Sequence, residues 1–174
     1  LGFFEEDLSV LKNACSAASG MVIMVGPTGS GKTTTLYATL NLINSPSRNI
    51  LTIENPVEYE LPGITQISID PDQDLDFTKT LRAVIRQDPD VILIGEIRDE
   101  ENAEIAVKAA LTGHLVLTTL HSRDALTVIQ RLKNLGISAD LLSEILNLIV
   151  SQKLVRRLCR HPVSYTHLTL PTTL

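Results

Sequence analysis

Tryptophan is absent from this 174-residue chain, and aromatic residues make up only 3% of it. Three Phe and three Tyr leave few rings to stack on bases, which counts against a single-strand nucleic-acid platform. Positive charge is also short. Fifteen Lys and Arg stand against 20 Asp and Glu, a net charge of −5, with a pI of about 5.3. Nucleic-acid-binding domains are usually basic, so no nucleic-acid partner is expected. Two cysteines, Cys15 and Cys159, form no disulfide framework and suit a reducing cytosol. No apolar run approaches the ~20 residues of a transmembrane segment. The N-terminus lacks the basic-then-apolar character of a signal peptide. The chain opens on Leu1 rather than Met, as a fragment of a longer protein would.

Hydrophobic content of 44% is ordinary for a globular protein, and the length suits one domain burying about 70% of its unfolded surface. Five apolar residues, Met21-Val22-Ile23-Met24-Val25, read as a buried strand. Gly26-Pro27-Thr28-Gly29-Ser30-Gly31-Lys32-Thr33 then fits G-x-x-x-x-G-K-[ST], and a helix pattern follows over 31–44. In such a loop glycines turn backbone N–H groups inward around phosphates. The helix start adds the positive end of its dipole. Lys32 is expected to reach the β- and γ-phosphates of ATP, and the Thr33 hydroxyl to hold Mg²⁺. With Thr34, residues 26–34 form the candidate nucleotide-binding set.

Residues 1–20 read as a lead-in helix or linker ended by Gly20, and 21–160 as one ATPase domain. Ile50-Leu51-Thr52-Ile53 is the next strand, running into Glu54-Asn55-Pro56-Val57-Glu58. Pro56 forbids a continuous helix there. Glu54 and Glu58 therefore lie in a solvated loop or, past a buried strand, at a ligand site. Residues 64–69 suggest a short strand, Asp70-Pro71-Asp72-Gln73-Asp74 an acidic turn, and 76–87 a helix. On that helix Arg82 and Arg86 share a face, as a surface patch or as phosphate sensors. Val91-Ile92-Leu93-Ile94 is a buried parallel strand followed by Gly95-Glu96-Ile97-Arg98-Asp99. Glu96 thus sits where a second ATPase motif places its Mg²⁺- or water-directed acid, with Arg98 beside it. An amphipathic helix is expected over 100–111.

His114 and His121 flank the next strand. Seven extended residues span about 23 Å, so both cannot touch one phosphate. Ligands bind at the C-terminal edge of a parallel sheet, which favours His121. The remaining chain reads as helical, over 124–134 and then 138–158 with a break. Residues 163–174 have no helical period and look like a translated sequencing adapter, a non-native tail.

The phosphate loop Gly26–Thr33, Thr52–Glu58, Arg86–Asp99 and Thr112–His121, occurring in this order, together resemble the secretion ATPases of type II secretion and type IV pilus assembly. The likeness covers about residues 15–160. It implies a RecA-like P-loop NTPase fold of the α/β class, a mainly parallel sheet flanked by helices with a helical C-terminal part. It also implies ATP hydrolysis with Mg²⁺, a cytoplasmic homo-hexamer at full length, and docking to an inner-membrane platform protein. Residue by residue it makes Glu58 and Glu96 the catalytic acids, Glu54 a further acid and His121 the histidine of the site. Thr33 and Glu96 are placed at the metal; Arg82, Arg86, Arg98 and His114 remain candidate sensors. Three departures stand out. Asn55 replaces a usual Asp, the family's N-terminal domain is not in this sequence, and Cys159-Arg160-His161-Pro162 does not continue as a four-cysteine zinc element. Thr34-Thr35-Leu36-Tyr37-Ala38 and the stretch from Gln152 to Cys159 look closer to secretion and pilus-extension members than to retraction members. The alternative reading is a RecA-like nucleic-acid or conjugation motor, which would need the basic surface and aromatic residues this chain has little of.

Overall fold

A computed structural model describes residues 2–69, 76–122 and 124–156. The elements are α1 (Glu5–Cys15), β1 (Gly20–Val25), α2 (Lys32–Ile43), β2 (Ile50–Glu54), β3 (Thr65–Ser68), α3 (Phe77–Ile85), β4 (Val91–Ile94), α4 (Glu100–Leu111), β5 (Leu115–Leu120), α5 (Ala125–Asn134), α6 (Ala139–Ile145) and β6 (Leu146–Ser151). The six strands form one sheet in the order β3-β2-β4-β5-β1-β6, and every neighbouring pair is parallel.

Alternation along the strands sends side chains to two cores, because successive residues point to opposite faces. Met21, Ile23 and Val25 of β1 join Ile92, Ile94 and Val116 in the core covered by α3, α4, α5 and α6. Val22 and Met24 join Leu93, Leu115 and Leu117 in the core under α1 and α2, with Leu11, Leu36 and Leu40. Both faces are covered, so β1, β2, β4 and β5 are buried along their whole length. That is why these strands read as mainly apolar runs, with Thr52, Glu54, Thr118 and Thr119 as the buried polar exceptions. Four of the described helices begin with a side-chain cap. Asp76, Asp99, Asp124 and Ser138 each accept a hydrogen bond from a backbone N–H in the first turn of the helix that follows.

Two expectations are corrected. The lead-in helix ends at Cys15, and Gly20 opens β1 rather than ending that helix. Within the described part of 138–158, the helix stops at Ile145. Leu146–Ser151 instead form β6, pairing with β1 from Met21↔Leu146 to Val25↔Ser151. Ile149 and Val150 are β-branched and fit a pleated strand better than a helix. The vacant flank of β1 also supplies a ladder of backbone partners that outweighs the weak local helix preference. Past β6, Lys153 and Arg156 are exposed on irregular chain rather than on a helix face. The acidic turn at 70–74, Arg157, Cys159, Arg160 and the tail at 163–174 lie outside the described residues.

Candidate active site

The strands run in one direction, so their C-terminal ends share one edge. The loops leaving β1, β2, β4 and β5 line a cavity of about 890 Å³ there. Thr28, Gly29, Ser30, Gly31, Lys32, Thr33 and Thr34 form one wall. Glu54, Asn55 and Glu58 come from the β2 end, Glu96 and Arg98 from the β4 end, and His121 from the β5 end. Arg82 and Arg86 on α3 are not among the lining residues. Arg82 pairs instead with Glu101 at 3.0 Å on the surface. His114 precedes β5, at the opposite edge of the sheet, and its Nδ1 lies 3.0 Å from the Ala109 carbonyl oxygen.

The loop from β1 to α2 turns tightly. Gly26, Gly29 and Gly31 have φ of 147°, 74° and 84°, values L side chains rarely adopt. A Cβ on Gly26 would sit 2.2 Å from the Gln152 carbonyl oxygen, so chain and loop touch there without side chains. Lys32 is buried, and its ammonium donates to the carbonyl oxygens of Gly26 at 2.9 Å and Pro27 at 3.0 Å. Burial lowers its pKa, and the charge of Glu96 opposes that shift. Ser30 Oγ is the only buried side-chain polar atom without a hydrogen-bond partner among the described residues. An orphaned hydroxyl inside a glycine cradle at a helix start fits a phosphate-sized anion.

Glu96 is held from two sides. The Gly95 N–H donates to the Ile53 carbonyl oxygen at 2.8 Å, and the Thr119 hydroxyl donates to the Gly95 carbonyl oxygen at 2.7 Å. A Cβ on Gly95 would lie 3.2 Å from that Ile53 oxygen, so the turn into Glu96 is close-fitting. Glu96 Oε1 accepts from Arg98, whose pKa is raised first by that hydrogen bond. Glu96 Oε2 lies 3.4 Å from His121 Nε2. Strand ends thus bring the Glu96 carboxylate and the His121 imidazole together on the floor of the cleft.

Glu54 and Glu58 differ in environment. Glu54 is 4% exposed. Its Oε2 accepts from the Tyr37 hydroxyl at 2.5 Å, and its Oε1 accepts from the Thr52 hydroxyl at 2.6 Å and the Gln66 amide at 3.4 Å. Three donors satisfy a carboxylate that burial would otherwise destabilise. Glu58 is exposed, and its backbone N–H donates to the same Tyr37 hydroxyl at 3.2 Å. Tyr37, on α2 and fully buried, therefore ties the phosphate-loop helix to both acids, and its ring meets Tyr59 edge-on at 4.7 Å. Burial, then the bond to Glu54, raise the Tyr37 pKa. Neither Tyr37 nor Gln66 stands out in the sequence, where each is one polar position within a regular element. The Tyr37→Phe variant deletes a donor to a buried carboxylate. It should lose about 2 kcal/mol of stability, a fall of roughly 4–8 °C in thermal midpoint, read by calorimetry.

A phosphate loop between strand and helix, facing a strand-end acid and histidine across a parallel sheet edge, defines a P-loop NTPase domain. The chain belongs to the family described as type II/IV secretion system protein, which it matches over residues 1–169. It is 53% identical over 159 residues to the putative type II secretion system protein E of Escherichia coli K12, covering 91% of this chain and 32% of that protein. It is 50% identical over 161 residues to the type IV pilus assembly ATPase PilB of Pseudomonas aeruginosa, covering 92% of this chain and 28% of that protein. The chain thus spans about a third of the length of these relatives. Its fold superposes on the crystal structure of the pilus retraction motor PilT with bound ADP. The TM-score is 0.78 at 38% identity, over 89% of this chain and 47% of that one. No described helix is long and apolar enough to cross a membrane.

Proposed function

We propose that this chain binds ATP in the cleft and forms the ATP-hydrolysing motor domain of a type II secretion or type IV pilus assembly machine. The observation that carries the reading is the convergence of the phosphate loop, Glu58, Glu96 and His121 on one cavity. The N–H groups of residues 28–34 and the Lys32 ammonium hold the phosphates of ATP. The Thr33 hydroxyl, and Glu96 through water, would hold Mg²⁺, a hard cation that takes oxygen ligands. When bound, that ion neutralises charge on the β- and γ-phosphate oxygens. Glu96 and Glu58 act as the acids that orient the attacking water and take its proton. His121, beside Glu96, positions that carboxylate and faces the γ-phosphate. Glu54 serves this site by fixing Tyr37 and the start of the Glu58 loop.

At full length the protein would assemble as a homo-hexamer in the cytoplasm, against an inner-membrane platform protein. The roles of the two relatives named above in type II secretion and pilus assembly support the motor part of this reading. Isothermal calorimetry of this chain with Mg·ATP tests the site directly: no measurable heat would refute it. Within the site, His121→Ala in a full-length relative should slow turnover more than His114→Ala, since only His121 lines the cleft. An ATP-analogue complex with His114 nearer the γ-phosphate would reverse that order.

A further inference from the structure

Gln152 follows the last residue of β6 and sits against the phosphate loop, 122 residues along the chain from the Ser30 carbonyl oxygen that it contacts. Its backbone N–H donates to the Val25 carbonyl oxygen at 2.8 Å, extending the β1–β6 pairing to the point where the loop begins. The side-chain Nε2 donates to the Ser30 carbonyl oxygen at 2.6 Å, and Oε1 accepts from the Thr35 hydroxyl at 2.7 Å. One amide therefore bridges the loop and the first turn of α2. Both ends of the bridge are enclosed, Ser30 and Thr35 each being 2% exposed. Gly31 also accommodates this amide, since a Cβ there would meet Nε2 at 2.9 Å.

The geometry has a direct chemical meaning. In a planar trans peptide the C=O and N–H point in opposite directions. Holding the Ser30 carbonyl oxygen toward Gln152 turns the N–H of Gly31 away from Gln152, and Gly31 is one of the residues that line the cleft. We propose that Gln152 is a positioning residue for phosphate: it sets the orientation of the Gly31 N–H and locks the loop to α2, so that the C-terminal strand governs nucleotide affinity. The proposal rests on the nucleotide reading above. Gln152 touches no phosphate itself and acts through Ser30, Gly31 and Thr35.

The test is calorimetric titration of the chain with Mg·ATP, alongside hydrogen exchange and thermal unfolding. Gln152→Leu keeps bulk and loses both bonds, and should weaken ATP binding about tenfold. Amides of residues 29–33 should exchange faster while β4 stays protected. Gln152→Glu keeps the acceptor for Thr35, loses the donor to Ser30 and brings a negative charge near the phosphates, so its loss should exceed that of Gln152→Leu. Thr35→Val removes one bond of the pair and should weaken binding about threefold, which tests the bridge even if Gln152→Leu fails to fold. Asn147→Ala, on the same strand, breaks only the 2.9 Å bond to the Ser19 carbonyl oxygen and should leave affinity unchanged. Unchanged affinity in Gln152→Leu, or in both Gln152→Glu and Thr35→Val, would overturn the proposal. So would a lowered midpoint with exchange raised evenly across the sheet and ATP affinity intact. Failure of the unaltered chain to bind Mg·ATP would instead remove the nucleotide reading, and this proposal with it.

Discussion

Glutamine in place of Glu96, in a full-length relative, should leave ATP binding intact and cut turnover by about 10²–10⁴-fold. Gln keeps the shape of the side chain and can still accept a hydrogen bond, but it carries no charge and takes no proton. The backbone that aims Glu96 does not depend on its carboxylate. The Gly95 bonds to Ile53 and Thr119 are main-chain or Thr119 contacts and survive the change. The loss therefore falls on chemistry rather than folding. Arg98 would lose its charged partner and His121 its neighbouring carboxylate, so the substitution removes the centre of a three-residue cluster. Single-turnover hydrolysis and nucleotide binding measured on the same preparation separate the two effects. Wild-type turnover would show that Glu96 is not the acid of the site. Glu58→Gln should behave in the same direction, but its exposure leaves it without a comparable scaffold.

Lys32→Ala should weaken ATP binding on the order of 100-fold with the fold retained. An ammonium facing two phosphates makes charge-assisted hydrogen bonds, each worth about 1.5–3 kcal/mol. Without nucleotide the same Nζ bonds the Gly26 and Pro27 carbonyl oxygens. Alanine therefore frees two acceptors on the rim of the loop, which water can reach from the cleft. Circular dichroism should show an intact domain, and calorimetry with Mg·ATP should show the loss. Equal affinity in the variant would mean that the loop is not where the phosphates sit.

The strands that carry the acids and histidine were legible because burial on both faces leaves them mostly apolar, and the chemistry follows at their ends. Glu96 and His121 could be placed from that rule alone. The parting of the two histidines followed from strand length, and in the structure β5 does separate them. What stayed hidden depends on contacts between distant segments. Leu146–Ser151 is a six-residue stretch with four apolar residues after a short helix, and at that length periodicity does not separate a strand from a buried helix. Reading it as helix also concealed Gln152, whose meaning comes from lying past a strand end beside β1. Tyr37 was hidden for a related reason. Its partners, Glu54 and Glu58, are 17 and 21 residues away and meet it only after the sheet forms. Arg82 lies on α3 and Arg86 caps its C-terminus, but neither lines the cleft, and Arg82 pairs with Glu101 of α4 instead. Spacing fixes neighbours along a helix and says nothing of which way the helix is rotated in the fold.

The strand order also sets a timetable for the ribosome. Among the described strands β1 is made first, yet its neighbours are β5 and β6, which are made last. Some 90 residues separate Val25 from Leu115, which at cellular elongation rates is roughly 5–20 s of translation. Throughout that interval Met21–Val25 is an apolar stretch whose pairing partners, β5 and β6, are not yet made. Slowing translation between residues 26 and 115 should lengthen that exposure and lower the soluble yield, whereas slowing it before residue 20 should not.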